Sequence, residues 1–288
     1  MGETKYTVLE ILKLTADHFS RKNIPEARLN AEMLLCYVLN CNRMKLYLDF
    51  DKPLQMSEIN AYRELVRRRQ IHEPVQYIIG KASFYKSDFV VNKNVLIPRA
   101  ETEILVEEFL KEVKGTEKQL NILEIGTGSG CISISIAKEL NAARMKFSIQ
   151  STDISEDALK VARENETAIL GESIIDFKSE DIFSLSKIEE KFEYVISNPP
   201  YISKQEHSDL EKNVKDFEPE IALTDNEDGM KFYKKIIELS KGTGRKIFFE
   251  IAYNAKDKLE SLLKAESISG YKFVKDHSGN YRVLIIKL

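Results

Sequence analysis

An apolar run that breaks into three glycines at alternate positions, Ile122-Leu123-Glu124-Ile125-Gly126-Thr127-Gly128-Ser129-Gly130, constrains this chain more than any other feature. Apolar residues that meet glycines so abruptly predict a buried strand turning sharply into a helix, with backbone able to approach a ligand where a Cβ would collide. The dinucleotide pattern G-x-G-x-x-G would place its third glycine at position 131, which is Cys131, so a dinucleotide-dependent dehydrogenase is disfavoured.

The flanking sequence repeats the strand and helix alternation. Strands are predicted at Asn121 to Ile125, Phe147 to Thr152, Ile174 to Lys178, Tyr194 to Ser197 and Lys246 to Ile251, with helices starting near Cys131, Glu156, Gly229 and Ala255. Such alternation predicts an α/β fold with a parallel, doubly wound, Rossmann-like sheet. Two closing strands, Tyr271 to Lys275 and Tyr281 to Ile286, are near enough to form an antiparallel pair. Ahead of the sheet, apolar residues from Tyr6 to Ile71 recur at helical spacing, with a start signal at Asn23 and Pro25 and a last helix from Ser57 to Arg69. Short runs rich in Val, Ile, Phe and Tyr, Gln76 to Ile79 and Phe89 to Val91, predict a β-hairpin. The expected domains are 1–73 (small and helical), 74–100 (a β-hairpin connector) and 101–288 (the sheet).

A chain of 288 residues, 43% hydrophobic and 31% charged, can bury a core without metal or disulfide support. Its net charge of -3 provides no general basic field for gripping nucleic acid, and no direct nucleic-acid partner is expected. The three cysteines, Cys36, Cys41 and Cys131, show neither a disulfide framework nor zinc spacing, and the four histidines, His18, His72, His207 and His277, are scattered, so no metal is expected. No apolar stretch approaches the ~20 residues that cross a bilayer, which makes a membrane partner unexpected and a cytoplasmic location the expectation.

Candidate site residues gather where predicted strands end. Asp153 closes the second strand, where a carboxylate can accept hydrogen bonds from both ribose hydroxyls or can cap the next helix; beside the glycine loop the ribose role is favoured. Asp181 follows the third strand, with Ile182 as an apolar neighbour for an adenine face. After the fourth strand comes Asn198-Pro199-Pro200-Tyr201. A planar amide or amino nitrogen is a poor nucleophile because its lone pair is delocalised, so a site acting on it must hold both N–H groups with acceptors. The Asn198 side-chain oxygen and the Pro199 carbonyl can do so, the prolines fix the carbonyl's direction, and Tyr201 offers a flat face.

Taken together, these motifs resemble the PrmC/HemK family, the peptide chain release factor N5-glutamine methyltransferases, and the likeness spans nearly the whole chain. It is carried by ARLNAEMLL (Ala27 to Leu35), EPVQYIIG (Glu73 to Gly80), LIPRAETE (Leu96 to Glu103), EIGTGSG (Glu124 to Gly130), SNPPYI (Ser197 to Ile202), EPEIAL (Glu218 to Leu223) and Asp228-Gly229. The resemblance implies S-adenosylmethionine as cofactor and class 1 release factors as protein substrate, methylated on the glutamine of a Gly-Gly-Gln loop, with the helical domain helping to grip the factor. By position it implies that Gly126, Thr127, Gly128, Ser129, Gly130, Asp153, Ile182 and Asn198 contact the cofactor, and that Asn198, Pro199, Pro200 and Tyr201 meet the glutamine and carry the catalysis; Asp181 is expected at the cofactor from its own position after the third strand, where the adenine edge would lie. Ala100 stands where the family usually has proline, Ile182 where some members carry an aromatic, and Ala252 where glycine is usual. Arg99 and Glu101 can either help close the site or form a structural ion pair between domains. Competing readings are a ribosomal-protein or nucleic-acid amino-methyltransferase using the same four residues, and a non-catalytic translation-factor binding module.

Overall fold

Local signals explain where most elements begin and end in the computed structural model, which describes residues 6–189, 191–241 and 245–288. Thr7 starts the first helix, Val8–Arg21, through a capping box with Glu10, and Gln55 does the same with Glu58 for Met56–Arg69. Along Val8–Arg21 the residues Val8, Ile11, Leu12, Thr15 and Phe19 are buried, the i, i+3, i+4 stripe of one helical face. Helix Ala27–Leu39 begins after Glu26 in a left-handed conformation and has no side-chain cap.

The chain forms two compact units, one running through Gly80 and including Glu211–Phe217, the other made of Lys81–Leu210 and Glu218–Leu288. In the first, the helices enclose a cluster built on Leu12, Phe19, Leu34, Leu35 and Tyr62. Buried Glu32 is held there by Arg28, Arg43 and the Tyr47 hydroxyl. Burial pushes its carboxyl pKa up, but those donors outweigh it and the net shift is downward. Gln76 to Ile79, read from sequence as strand, is instead the helix Val75–Ile79. Pro74 precedes it with φ already suited to a helix start, Gly80 ends it at φ +75°, and Val75 and Ile78 enter the helical core. Packing there overrides β propensity.

In the second unit, β1 (Lys81–Phe84) and β2 (Ser87–Val90) form an antiparallel hairpin. A seven-stranded sheet follows, with β3 (Leu120–Ile125), β4 (Phe147–Asp153), β5 (Ile175–Ser179), β6 (Tyr194–Ser197), β7 (Lys246–Glu250), β8 (Tyr271–Lys275) and β9 (Tyr281–Lys287) in the order β5-β4-β3-β6-β7-β9-β8. The first five are parallel, while β9 runs antiparallel to both β7 and β8. Alternate residues face opposite sides: Ile122 and Phe248 join a cluster with helices Glu103–Val113, Cys131–Ala142 and Glu156–Leu170, whereas Leu123, Ile125, Ile247 and Phe249 join helices Lys231–Ser240 and Lys256–Ala265. No helix among the described residues is long and apolar enough to cross a membrane.

Candidate active site

β3 has β4 on one side and β6 on the other, so the chain order reverses across it and leaves a crevice at the strands' carboxyl ends. A cavity of about 310 Å³ opens there, a size found among small-molecule sites. Its wall contains Gly126, Thr127, Gly128 and Ser129 after β3, Asp153 ending β4, Asp181 and Ile182 after β5, and Asn198, Pro199 and Pro200 after β6. Gly130, Tyr201 and Glu101 are not part of this wall.

The three glycines do different work. Gly126 and Gly128 lie at φ +86° and +54°, and a Cβ would find no atom within 4 Å at Gly128 and only the Asn198 carbonyl oxygen, 3.8 Å away, at Gly126. Backbone direction requires them. A Cβ on Gly130 would lie 2.8 Å from Ile134 Cδ1 and 3.2 Å from Ala162 Cβ, so this glycine brings two helices together and does not face a ligand. The loop is also tied from behind: Asn165, wholly buried, donates to the carbonyls of Ser129 and Val90 and accepts from the Val90 amide. Nothing in the sequence marks this asparagine, the single one on its helix, as a loop anchor.

Asp153 Oδ2 accepts from the Gly128 amide at 2.9 Å and Oδ1 from the Ser155 amide at 2.9 Å. Capping of the next helix falls to Ser155, whose hydroxyl accepts from the Ala158 amide, so the capping alternative for Asp153 is not what the structure shows. Burial raises the pKa of Asp153, and the backbone amides oppose the rise. Each carboxylate oxygen keeps acceptor capacity beyond its amide. Asp181 caps the short turn Ile182–Ser184 through the Phe183 amide. Phe183 and Phe232, both on the wall, pair edge to face with ring centres 5.0 Å apart. An aromatic is thus present one residue beyond Ile182.

Glu124 is fully buried at the end of β3. Ser151 donates to its Oε2, and the Thr127 and Ser151 hydroxyls lie 2.8 Å apart, which links β3, β4 and the loop. Burial pushes the Glu124 pKa up to about 7.

The turn after β6 is built with equal care. Ser197 Oγ donates to the Ile125 carbonyl, aligning β6 with β3. Asn198 Nδ2 donates to Thr102 Oγ1 at 3.4 Å. Tyr201 packs against the core beside helix Lys231–Ser240 and donates its hydroxyl to Glu250 Oε1 at 3.3 Å, which places it behind the turn. Gly229, at φ +80°, passes so close to the Tyr201 carbonyl oxygen that a Cβ would collide with it. Asp225 holds that neighbouring loop by accepting from the amides of Glu227, Gly229 and Lys231. Gly229 belongs to the Asp228-Gly229 pair that carries the resemblance and Asp225 to none of the matching stretches, and only the fold shows what they support.

Arg99 lies on the wall and pairs with Glu218 at 2.5 Å, while the other Glu218 oxygen accepts from the Ile97 amide at 3.1 Å. Arg99 and Glu218 belong to the same unit, so this ion pair is not one between domains, and Glu101 is exposed.

These walls fit an adenosyl group bearing a sulfonium. Two left-handed glycines let backbone approach it, Asp153 has acceptor capacity for a ribose diol, and Ile154, Ile182 and Phe183 provide apolar surface. Ser129 Oγ is buried in the wall with no hydrogen-bond partner among the described residues, a polar atom that a bound ligand would satisfy.

Comparison with known proteins agrees with this geometry. The family model for the PrmC N-terminal domain matches residues 10–80, and that for the methyltransferase small domain matches residues 100–215. A protein of Leptospira interrogans named release factor glutamine methyltransferase is 39% identical, covering 97% of this chain and 98% of its own length. One of the same name from Bacillus subtilis is 35% identical, covering 96% of each. Among solved structures, the human METTL16 catalytic domain in complex with the MAT2A 3'UTR hairpin 6 aligns with a TM-score of 0.55 at 14% identity, over 81% of this chain and 82% of that one, which is a likeness of fold. The chain is an S-adenosylmethionine-dependent enzyme and belongs to the release factor glutamine methyltransferase family.

Proposed function

We propose that this enzyme methylates the side-chain amide nitrogen, N5, of the glutamine in the Gly-Gly-Gln loop of class 1 peptide chain release factors. One observation carries the choice of acceptor: Asn198 spends its NH2 on Thr102, which leaves its side-chain oxygen as the end available to the cavity, next to the Pro199 backbone. Two oxygens, Asn198 Oδ1 and the Pro199 carbonyl, can then accept from the two N–H groups of a primary amide and orient its nitrogen. They also favour the positive charge that builds on that nitrogen as it is alkylated.

S-Adenosylmethionine supplies an activated methyl group on sulfur when bound. In this reading Gly126, Thr127, Gly128 and Ser129 leave room for it, Asp153 accepts from the ribose, and Ile182 and Phe183 border the adenine. Pro199 and Pro200 restrict the backbone so that the Pro199 carbonyl keeps its direction. Tyr201 steadies the turn by donating its hydroxyl to Glu250. The helical unit serves to grip the factor, and the proposed acceptor, a translation factor, puts the enzyme in the cytoplasm.

Mass spectrometry of a release-factor digest after incubation with the enzyme and S-adenosylmethionine tests the proposal. One added methyl on the loop glutamine is expected, and Asn198→Ala should abolish it while cofactor binding measured by calorimetry persists. Methylation of RNA or a ribosomal protein but not of release factors would overturn the choice of substrate, and full activity in Asn198→Ala would overturn the role of that residue.

A further inference from the structure

We infer that Thr102 and Glu250 are positioning residues that decide which end of the Asn198 amide faces the acceptor, an inference that rests on the reading of Asn198 above. The two ends of an asparagine amide have nearly the same shape and opposite hydrogen-bonding character. Oxygen-first, Asn198 accepts from a substrate NH2; turned over, it would set donors against donors. Shape cannot make that choice, so a hydrogen-bond partner must.

Thr102 is that partner. It is buried on the cavity wall, and its hydroxyl oxygen accepts from Asn198 Nδ2. A hydroxyl can also donate, and it is committed to accepting from Asn198 only when its own hydrogen has somewhere else to go. Glu250, fully buried at the end of β7, provides the direction: Oε1 accepts from the Tyr201 hydroxyl, and Oε2 has no hydrogen-bond partner among the described residues. The Thr102 hydroxyl favours the charged form of Glu250, as a donor turned toward that carboxylate does. Donors therefore run from Asn198 to Thr102 toward Glu250 and from Tyr201 to Glu250, so both ends of the Asn198–Tyr201 turn refer to one carboxyl group. The Tyr233 hydroxyl fixes the strand end itself, donating to the Glu250 carbonyl at 2.8 Å.

The polarity depends on Glu250 being ionised. Burial raises its pKa to about 7, opposed by Thr102, Tyr201 and the positive charge of Arg282 on β9, and reinforced by Glu101. Tyr233 and Cys131, from two helices, also face it electrostatically. Once protonated, Glu250 no longer draws the Thr102 hydrogen, and the bias on Asn198 weakens.

The test compares wild type, Thr102→Val, Thr102→Ser and Glu250→Gln. Thr102→Val should lower kcat about 10- to 100-fold, with KM for the release factor and cofactor affinity changed less than about twofold, and Thr102→Ser should restore kcat. Wild-type kcat should rise through about pH 7, and Glu250→Gln should lose that limb. In the protein without cofactor or release factor, the Asn198 side-chain NH2 resonances should shift in Thr102→Val and return in Thr102→Ser. Unchanged kcat in Thr102→Val, failure of Thr102→Ser to restore it, or unmoved Asn198 resonances would overturn the inference. A wild-type enzyme inactive on release factors would instead defeat the proposed function, and the resonance comparison would still judge the positioning.

Discussion

Gly229→Ala should disable the enzyme by pushing on the acceptor turn from outside the cavity. The new Cβ would collide with the Tyr201 carbonyl oxygen and stand 3.3 Å from the Tyr201 carbonyl carbon and 3.6 Å from the Ser203 amide nitrogen, all backbone atoms that no rotamer change can move aside. Two costs add: left-handed φ on a residue with a Cβ, roughly 1–2 kcal/mol, and the forced backbone shift, roughly 1–3 kcal/mol. Gly171→Ala separates them. Gly171 ends helix Glu156–Leu170 at φ +74° with nothing within 4 Å of a built Cβ, so that variant carries the first cost alone. Both substitutions stiffen the unfolded chain alike, so this effect cancels between them. Gly229→Ala should therefore be less stable than Gly171→Ala by about 1–3 kcal/mol in thermal unfolding. Its turnover should fall on the order of 100-fold, because a displacement near 1 Å at the reacting groups costs about that much. Single-turnover methyl transfer on the same preparations provides the readout. Equal turnover in the two variants would refute the argument that Gly229 sets the turn.

Three further outcomes follow from the geometry. Asp153→Ala should weaken S-adenosylmethionine binding about 10- to 100-fold by calorimetry, the loss of hydrogen bonds to a charged acceptor; an unchanged dissociation constant would remove Asp153 from the cofactor site. Glu124 has a folded pKa of about 7 against an ordinary 4.5, so its contribution to stability is present below about pH 4.5 and is lost as pH rises through about 7. Glu124→Gln should therefore gain on wild type by roughly 2–4 kcal/mol between about pH 4.5 and pH 8 in denaturant unfolding, and a pH-independent difference would contradict the assignment. Glu32→Gln leaves Arg28, Arg43 and Tyr47 without their shared carboxylate and should destabilise the helical unit by about 1–3 kcal/mol in thermal unfolding, discounted for the partial exposure of both arginines. A melting curve identical to wild type would show the cluster to be energetically idle.

Much of this was legible in the residues themselves because the signals are local. A glycine that must take positive φ, a proline pair and an acidic residue at a strand end report backbone conformation within a few positions of themselves, and Gly126, Gly128, Asp153 and Asn198 stand in the cavity wall as their motifs suggest. Gln76 to Ile79 misled because a short run of Tyr and Ile reads as strand until a core claims it; Pro74 and Gly80 mark its ends equally well for a helix. Gly130 carries the same conformational signature as Gly126, yet its neighbour is Ala162 on another helix, a fact with no trace in the loop's sequence.

The order of apolar and polar residues, with the turn chemistry between them, determined that this chain forms a parallel sheet presenting a glycine loop and an asparagine at adjacent strand ends. Only the tertiary structure decided which way those groups point. Thr102 meets Asn198 and Glu250 meets Tyr201 across separations of 96 and 49 residues. Hydrogen-bond direction depends on partners brought together by packing, and no periodicity along the chain encodes who those partners are.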